Sequence, residues 1–390
     1  MFNPVEVKDG VYWVGAVDWN VRDFHGYRTY RGSTYNAYLI IDEKITLIDT
    51  CKKPFAGELI ERISRVVDPS KIDYLVSNHV EMDHSGCIPD IMALAPNAKI
   101  VTSDNFGEKG LRAHYGDAYE YVPVKPGDSL CIGKRTLDFV KTTMVHWPDN
   151  MVTYSAYDKI LFSNDAFGQH FASNGRFDDE NDLADVLGQA RKYYANIVMP
   201  YSKNVAKALE ACGGLDIEVI APGHGIIWRS CIPQILAEYS KWCSGETEDY
   251  ALVVYDSMWG TTASMALSIA EAFTSKGIRT RVFDLKANHI SDILTEVLSA
   301  KYIAVGSPTL NNGMMPTVAG FLCYLKGLSP KNKVGLAFGS YGWGPSGAND
   351  VAAQLEAIGY EMPFEVLAHN WVADADALAG IFDKVVPTIG

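Results

Sequence analysis

Residues His79-Val80-Glu81-Met82-Asp83-His84 place two imidazoles and two carboxylates within six positions, directly after the apolar run Ile72-Asp73-Tyr74-Leu75-Val76. A run of that length and composition reads as a buried strand. A loop held at the exit of such a strand is where layered α/β folds build their sites. A fold for this chain must therefore carry a strand into that loop and bring other ligands to meet it.

Three further apolar runs end in a candidate ligand. Leu137-Asp138-Phe139-Val140 leads to His146, Ile160-Leu161-Phe162-Ser163-Asn164 ends in Asp165, and Glu218-Val219-Ile220-Ala221-Pro222-Gly223 ends in His224. The glycines on either side of His224 let the backbone turn closely around an ion. The candidate set is His79, Glu81, Asp83, His84, His146, Asp165 and His224. A single histidine is more often a packed or solvated residue than a ligand, but strand exits on one edge of a sandwich lie close together. Seven ligands exceed what one tetrahedral zinc takes. They suit two metals that share a bridging carboxylate, roughly 3.5–4 Å apart.

The order of elements points to two domains, as 390 residues also do. Strand-like runs at 10–17, 34–41 and 45–49 come first. A helix over 54–67 follows, then strand 72–78, helix 86–95, strand 98–102, helix 105–115 and hairpins over 129–141 and 151–162. Helices near 184–195, 203–212 and 233–242 and a strand at 218–220 complete this half. Hairpins followed by mixed β/α elements predict two sheets face to face with helices outside. The polar stretch 244–249 reads as a linker. Beyond it, strands at 250–255, 280–284, 301–306, 333–338 and 363–366 alternate with helices at 262–276, 290–299, 316–326, 348–358 and 374–384. That alternation predicts a doubly wound parallel sheet. The expected boundaries are 1–248 and 249–390.

The first half resembles the metallo-β-lactamase superfamily, whose hydrolases carry H-x-H-x-D-H. Here Glu81 stands at the second histidine position, which hardens the site and favours iron over zinc by ligand type. This H-x-E-x-D-H variant followed by a flavodoxin-like half is similar to the flavodiiron proteins, or A-type flavoproteins. The likeness extends through His146-Trp147-Pro148-Asp149, Ser163-Asn164-Asp165-Ala166-Phe167-Gly168-Gln169 and Tyr193-Tyr194-Ala195-Asn196. The resemblance implies an αββα sandwich joined to a flavodoxin-like domain. It also implies one iron on His79, Glu81 and His146, a second on Asp83, His84 and His224, and Asp165 bridging. Family members differ in whether the histidine matching His84 binds metal. His25 and Tyr193 match positions that line the gas pocket of the family, where either could donate a hydrogen bond or a proton.

In the second half, Ser257-Met258-Trp259-Gly260-Thr261-Thr262 falls between the first strand and helix and resembles the flavodoxin phosphate loop. In such a loop, hydroxyls, backbone N–H groups and the helix N-terminus surround a phosphate. Ser257, Thr261 and Thr262 are the expected hydroxyls, and Trp259 stands where a Thr is common. Two more loops lie at strand carboxyl ends, where ligands bind in such sheets. One holds Ser307-Pro308-Thr309-Leu310-Asn311-Asn312 and the other Ser340-Tyr341-Gly342-Trp343-Gly344. Trp343 and Trp259 are candidates to border an isoalloxazine ring. No G-x-G-x-x-G occurs, so FMN is expected rather than a dinucleotide.

The resemblance implies reduction of O2 to water or of NO to N2O, in a head-to-tail homodimer or a dimer of dimers. Two ferrous ions and a reduced flavin together hold the four electrons that O2 needs. The seven cysteines include no C-x-x-C pair, so a rubredoxin-like centre is not expected within the chain. The electron donor is then external, rubredoxin or reduced deazaflavin by resemblance. A net charge of −13 argues against nucleic acid and anionic membrane surfaces. The scattered cysteines and the N-terminal residues, which lack a signal-peptide pattern, suit a cytoplasmic setting. Two other readings stay open on sequence: a zinc hydrolase of the β-lactamase fold fused to a flavodoxin, and a non-catalytic electron-transfer or gas-sensing module.

Overall fold

The apolar runs of the first half assemble into two sheets. One takes Val5–Lys8, Val11–Trp13, Tyr38–Ile40, Ile45–Ile48, Ile72–Ser77, Lys99–Ser103 and Tyr121–Val124, in that order across the sheet. The other takes Ser129–Cys131, Thr136–Lys141, Met151–Ser155, Ile160–Asn164 and Val219–Pro222. Because side chains alternate along a strand, each sheet offers one apolar face to the other. Val11, Trp13, Ile40 and Val76 of the first sheet share a core layer with Leu137, Phe139, Phe162 and Val219 of the second. On its other face the first sheet buries Leu39, Leu47 and Leu75 against Leu59, Ile63, Ile91 and Leu111, which come from the helices Ala56–Ser64, Ile88–Leu94 and Phe106–Tyr115. Each such side chain, fully buried, is worth about 1.5–3 kcal/mol. This is the expected αββα sandwich.

The computed structural model describes residues 2–390, which group into two units. The first runs through Tyr193 and adds Tyr201–Ser240; the second comprises Tyr194–Pro200 and Lys241–Gly390. In the second unit five strands, all parallel, lie in the order Arg279–Asp284, Glu248–Tyr255, Ala300–Gly306, Val334–Tyr341 and Leu367–Asn370. The chain thus starts second in the sheet, crosses to one edge, then returns and winds to the other. That is the doubly wound pattern. The helix Thr261–Ser275 packs Met265, Ile269 and Phe273 on the strands.

Several local expectations differ from the structure. Residues 10–17 and 34–41 each break into two strands that serve different sheets. The break is steric: a Cβ on Gly15 would lie 2.3 Å from the Tyr35 carbonyl oxygen, so two backbones pinch together there. The helix expected from residue 86 is preceded by a separate turn of helix, Met82–Ser85, which carries two of the candidate ligands. The strand Tyr121–Val124 was not anticipated, and the last strand lies at Leu367–Asn370 rather than at 363–366. The expected linker is largely structured, since Ile232–Ser244 is helical and a strand begins at Glu248. The helix beginning at Leu183 ends at Tyr193 and continues as a π-helical turn, Tyr194–Val198, a feature frequent near functional sites. Among the described residues no helix is long and apolar enough to cross a membrane.

Candidate metal centre and flavin site

Strand direction brings the candidate ligands of the first half together. Ile160–Asn164 runs parallel to Val219–Pro222, so Asp165 and His224 leave one edge side by side. Thr136–Lys141 points the same way, being antiparallel to the strand between them, so the loop bearing His146 leaves there too. The residues just before His79 and Asp165 are tied to one another. Buried Asp49 accepts hydrogen bonds from the Asn78 amide N–H (2.7 Å), Asn78 Nδ2 (3.0 Å) and Asn164 Nδ2 (3.2 Å). Asp49 and Asn164 both hold left-handed backbone, at φ 56° and 50°, a conformation that non-glycine residues adopt where surrounding contacts fix it.

All seven candidate ligands meet. They form two groups, His79, Glu81, His146 and Asp165 in one and Asp83, His84 and His224 in the other, with the ligand atoms of each group within 4.8 Å of one another. Asp165 faces both. Its Oδ2 lies 3.1 Å from His146 Nε2 and 3.5 Å from His79 Nε2. Its Oδ1 lies 2.9 Å from His84 Nε2 and 3.6 Å from His224 Nε2. Glu81 Oε2 is 3.3 Å from His146 Nε2, and Asp83 Oδ2 is 3.1 Å from His224 Nε2.

This donor set fits metal ions. His79 Nε2, His84 Nε2, Asp83 Oδ1 and both Asp165 oxygens are buried with no hydrogen-bond partner, whereas buried polar atoms in native proteins are normally satisfied. On His79 and His224 the ring nitrogen on the far side is engaged. His79 Nδ1 meets Asp149 Oδ2 at 2.8 Å, and His224 Nδ1 meets the Thr34 carbonyl at 2.6 Å, the arrangement that orients a metal-binding imidazole. Burial alone would push the His79 imidazole down, but Asp149 and Glu81 hold it well above its ordinary value. His84, buried beside Asp83 and Asp165, stands at about 9. Asp165 is buried as well, yet the imidazoles of His84 and His146 keep its carboxyl far below the usual range. The cluster thus attracts cations at its centre.

His25 lies at the rim, largely exposed, with Nε2 3.3 Å from Glu81 Oε1 and φ at 53°. It lines a cavity of about 640 Å³ together with Phe24, Lys52, Glu81, Asp83 and His146. Tyr193 is buried, its ring 6.0 Å from His224. Burial, then the nearby Asp165 charge, pushes its hydroxyl well above the ordinary value, so it stays protonated.

In the second unit, Met258, Trp259, Thr261, Pro308, Thr309, Ser340, Tyr341, Gly342 and Trp343 line one cleft of about 440 Å³, within the usual size of a cofactor site. Trp259 is 95% exposed and Trp343 83%. Large apolar rings bared around a cleft mark a ligand surface, and the fit to a flat aromatic cofactor is direct. The helix behind the loop starts at Gly260 (φ 97°) with no side-chain cap, leaving its first N–H groups for an anion. Other expected residues support the loops from behind. Ser257 Oγ accepts from Gly260 N at 3.1 Å, Thr262 Oγ1 pairs with Ser340 Oγ at 2.8 Å, and Ser307 Oγ accepts from Met315 N at 2.9 Å. Leu310, Asn311 and Asn312 form a tight turn closed between Leu310 and Gly313, and the Gly344 carbonyl accepts from Thr309 Oγ1.

Two family models match the chain, "ODP family beta lactamase" over residues 34–225 and "Flavodoxin" over residues 253–384. The nitric oxide reductase of Moorella thermoacetica is 45% identical over 93% of this chain and 92% of its own length. The rubredoxin-oxygen oxidoreductase of Megalodesulfovibrio gigas is 44% identical over 92% and 90%. Among solved structures, the flavodiiron protein of Giardia intestinalis superposes with a TM-score of 0.96 at 37% identity, covering 100% of this chain and 96% of that one. The chain belongs to the flavodiiron protein family.

Sequence reasoning missed three residues that shape these flavodiiron sites. His170 is fully buried beside the metal cluster, its ring 4.9 Å from His224 and 5.1 Å from Tyr193. Its Nδ1 meets Ser33 Oγ at 2.7 Å, and its Nε2 has no partner. Burial, then the neighbouring His224, drives its imidazole well below the ordinary value, so it is neutral. Trp371, 64% exposed, and Val372 line the same cleft as Trp343. The sole signal for them was an exposed aromatic just past a strand end.

Proposed function

We propose that this flavodiiron protein reduces a small diatomic gas, O2 to water, NO to N2O, or both, at a non-haem diiron site fed through FMN by an external donor. The observation that carries the reading is Asp165, a buried carboxylate whose two oxygens face two separate ligand groups. In this reading His79, Glu81 and His146 hold one iron, and Asp83, His84 and His224 the other. When bound, the irons supply gas binding and electrons, and the flavin supplies the electrons that restore them. The chain's own residues hold those groups and exclude water, and His25 and Tyr193 are placed to donate a hydrogen bond or a proton. The loops at 257–262, 307–312 and 340–344 would hold the flavin. Residues 1–248 make up the iron half and 249–390 the flavin half.

The relatives named rubredoxin-oxygen oxidoreductase and flavorubredoxin support a rubredoxin-type donor, with reduced deazaflavin the other candidate. We assign the active form to a head-to-tail homodimer, or a dimer of dimers, in the cytoplasm, with one copy's flavin serving the other's irons. A fully active monomer in light scattering would contradict this. Steady-state turnover of the iron- and FMN-loaded protein with O2 and with NO, using reduced rubredoxin, tests the function. Zinc in place of iron together with esterase turnover would favour the hydrolase reading instead. A single reoxidation without repeated turnover would favour the electron-transfer module.

A further inference from the structure

A second cavity in the first unit, of about 310 Å³, lies on the outer face of the five-stranded sheet. Val152, Leu161 and Ile220 form its floor, and the helices Ser202–Cys212 and Ile232–Ser244 its walls, through Ala208, Leu209 and Leu236 among others. Two of the polar side chains in the lining turn to the protein: Tyr239 OH meets the Phe167 N–H at 2.7 Å, and Ser240 Oγ donates to the Leu236 carbonyl at 2.9 Å. A space so lined offers a water molecule few partners, and an apolar cavity of even about 150 Å³ stays dry and takes up xenon or benzene.

Its deep end adjoins the metal centre by chain connectivity. Val145, which lines it, precedes His146; Ala166 and Phe167, which also line it, follow Asp165. These three are buried, whereas Gly213 and Ser240, also in the lining, are exposed. The cavity therefore extends from the surface to the back of the loops that hold two ligands of the cluster. The other opening, beside His25, is lined by charged groups, among them Lys52, Glu81 and Asp83.

We propose that this apolar cavity is a binding and delivery site for the gaseous substrate, leaving the charged opening to water, protons and electrons. The assignment rests on the proposed gas reductase activity. O2 and NO are small, uncharged and weak hydrogen-bonders, so water excludes them for the same reason it excludes a hydrocarbon. A preformed apolar cavity takes them up without the cost of opening a space in water. Gas held there is concentrated next to the backbone of His146 and Asp165.

The test uses the iron- and FMN-loaded protein and two space-filling variants, Ala208→Phe and Leu209→Phe, both at partly exposed helix positions beside the void. Crystals of the unaltered protein under xenon pressure should show xenon in this cavity, and crystals of the variants should not. With iron and FMN content retained, the variants should lose kcat/KM for gas several-fold while kcat at saturating gas holds. Absence of xenon from the cavity overturns the proposal, as does a filled variant with unaltered kcat/KM. Xenon occupancy is read without turnover. Failure of the unaltered protein to reduce either gas would thus overturn the activity separately from the cavity.

Discussion

Asp149→Asn isolates the support of one ligand without touching a ligand. Asp149 is buried, and its Oδ2 accepts from both His79 Nδ1 and the Val80 amide at 2.8 Å. A carboxylate can only accept, so it fixes the proton on Nδ1 and leaves Nε2 to face Glu81 and Asp165. An amide oxygen can occupy the same place, but the charge is gone. Hydrogen bonds to charged groups are worth about 1.5–3 kcal/mol and neutral ones about 0.5–1.5. The difference, about 1–1.5 kcal/mol, corresponds to roughly tenfold in affinity, the low end of the roughly 10–100-fold loss seen when a group behind a metal ligand is changed. Titration of metal-free protein with Fe(II) against a competing chelator should show one of two sites weakened by that amount, with FMN content unaltered. Asp149→Ala should do worse. It strands two buried donors at about 1–3 kcal/mol each, part of which appears as a lowered Tm. If Asp149→Asn bound both irons like the unaltered protein, or lost FMN in parallel, the orienting role of Asp149 would be refuted.

Asp165→Ala should remove iron from both sites and abolish gas turnover, while the flavin still accepts electrons from dithionite; full turnover in that variant would end the bridging assignment. Trp343→Ala should weaken FMN binding by about tenfold or less, the range of an aromatic stacking contact, without changing the melting temperature, since the ring is 83% exposed. Fluorescence titration of FMN reads the first effect and calorimetry the second. Asp42 governs a pH effect on stability. Burial pushes its carboxyl up, but the amides of Glu43, Lys134 and Arg135 and the Arg135 guanidinium pull it further down, leaving it below the ordinary value. A carboxyl lowered by folding stabilises the native state above its unfolded pKa of about 3.9 and loses that contribution as pH falls through the folded value. The stability gap between unaltered protein and Asp42→Asn should hold constant from neutral pH to about 5 and shrink below about 4, and a gap that grew on acidification would contradict the assignment.

The candidate metal ligands could be singled out because they stand at or shortly after the ends of apolar runs, and strand periodicity is a local property of sequence. Their division into two groups around Asp165 came from the family resemblance alone, since the apolar runs mark where each residue sits and not which ion it would face. His170 was not legible. It lies five places after Asp165 in Phe167-Gly168-Gln169-His170-Phe171, where no strand or spacing marks it, and only the fold turns it against His224. Trp371 was lost with the last strand, whose position depends on pairing with Val334–Tyr341 rather than on its own short, polar sequence, Leu367-Ala368-His369-Asn370. The strand breaks at Gly15 and Asn36 escaped for a similar reason. The apolar pattern runs on through them, and only the close approach of two backbones ends the strands.

The metal cluster also argues for function independently of kinship. Glu81, Asp83 and Asp165 sit among four imidazoles at the end of a sandwich whose two sheets meet in an apolar layer. Each buried ion carries an effective desolvation penalty of several kcal/mol, and replacing such groups by packed hydrophobic side chains often stabilises a protein by about 1–4 kcal/mol. His84, His224 and Asp165 are nearly free of solvent, so water does not relieve that penalty. A chain under selection for stability alone would fill this space with Leu and Val, as it does on the neighbouring strands at Leu161 and Val219. It instead adds Asp149 and Asp49, two further buried carboxylates, behind the imidazoles and strand ends. That expense is offset only when cations occupy the centre. Folding stability should therefore depend on metal: a protein stripped of iron should melt lower than the loaded one, by an amount that grows with free Fe(II) concentration. A melting temperature indifferent to iron would mean that the cluster is satisfied without it.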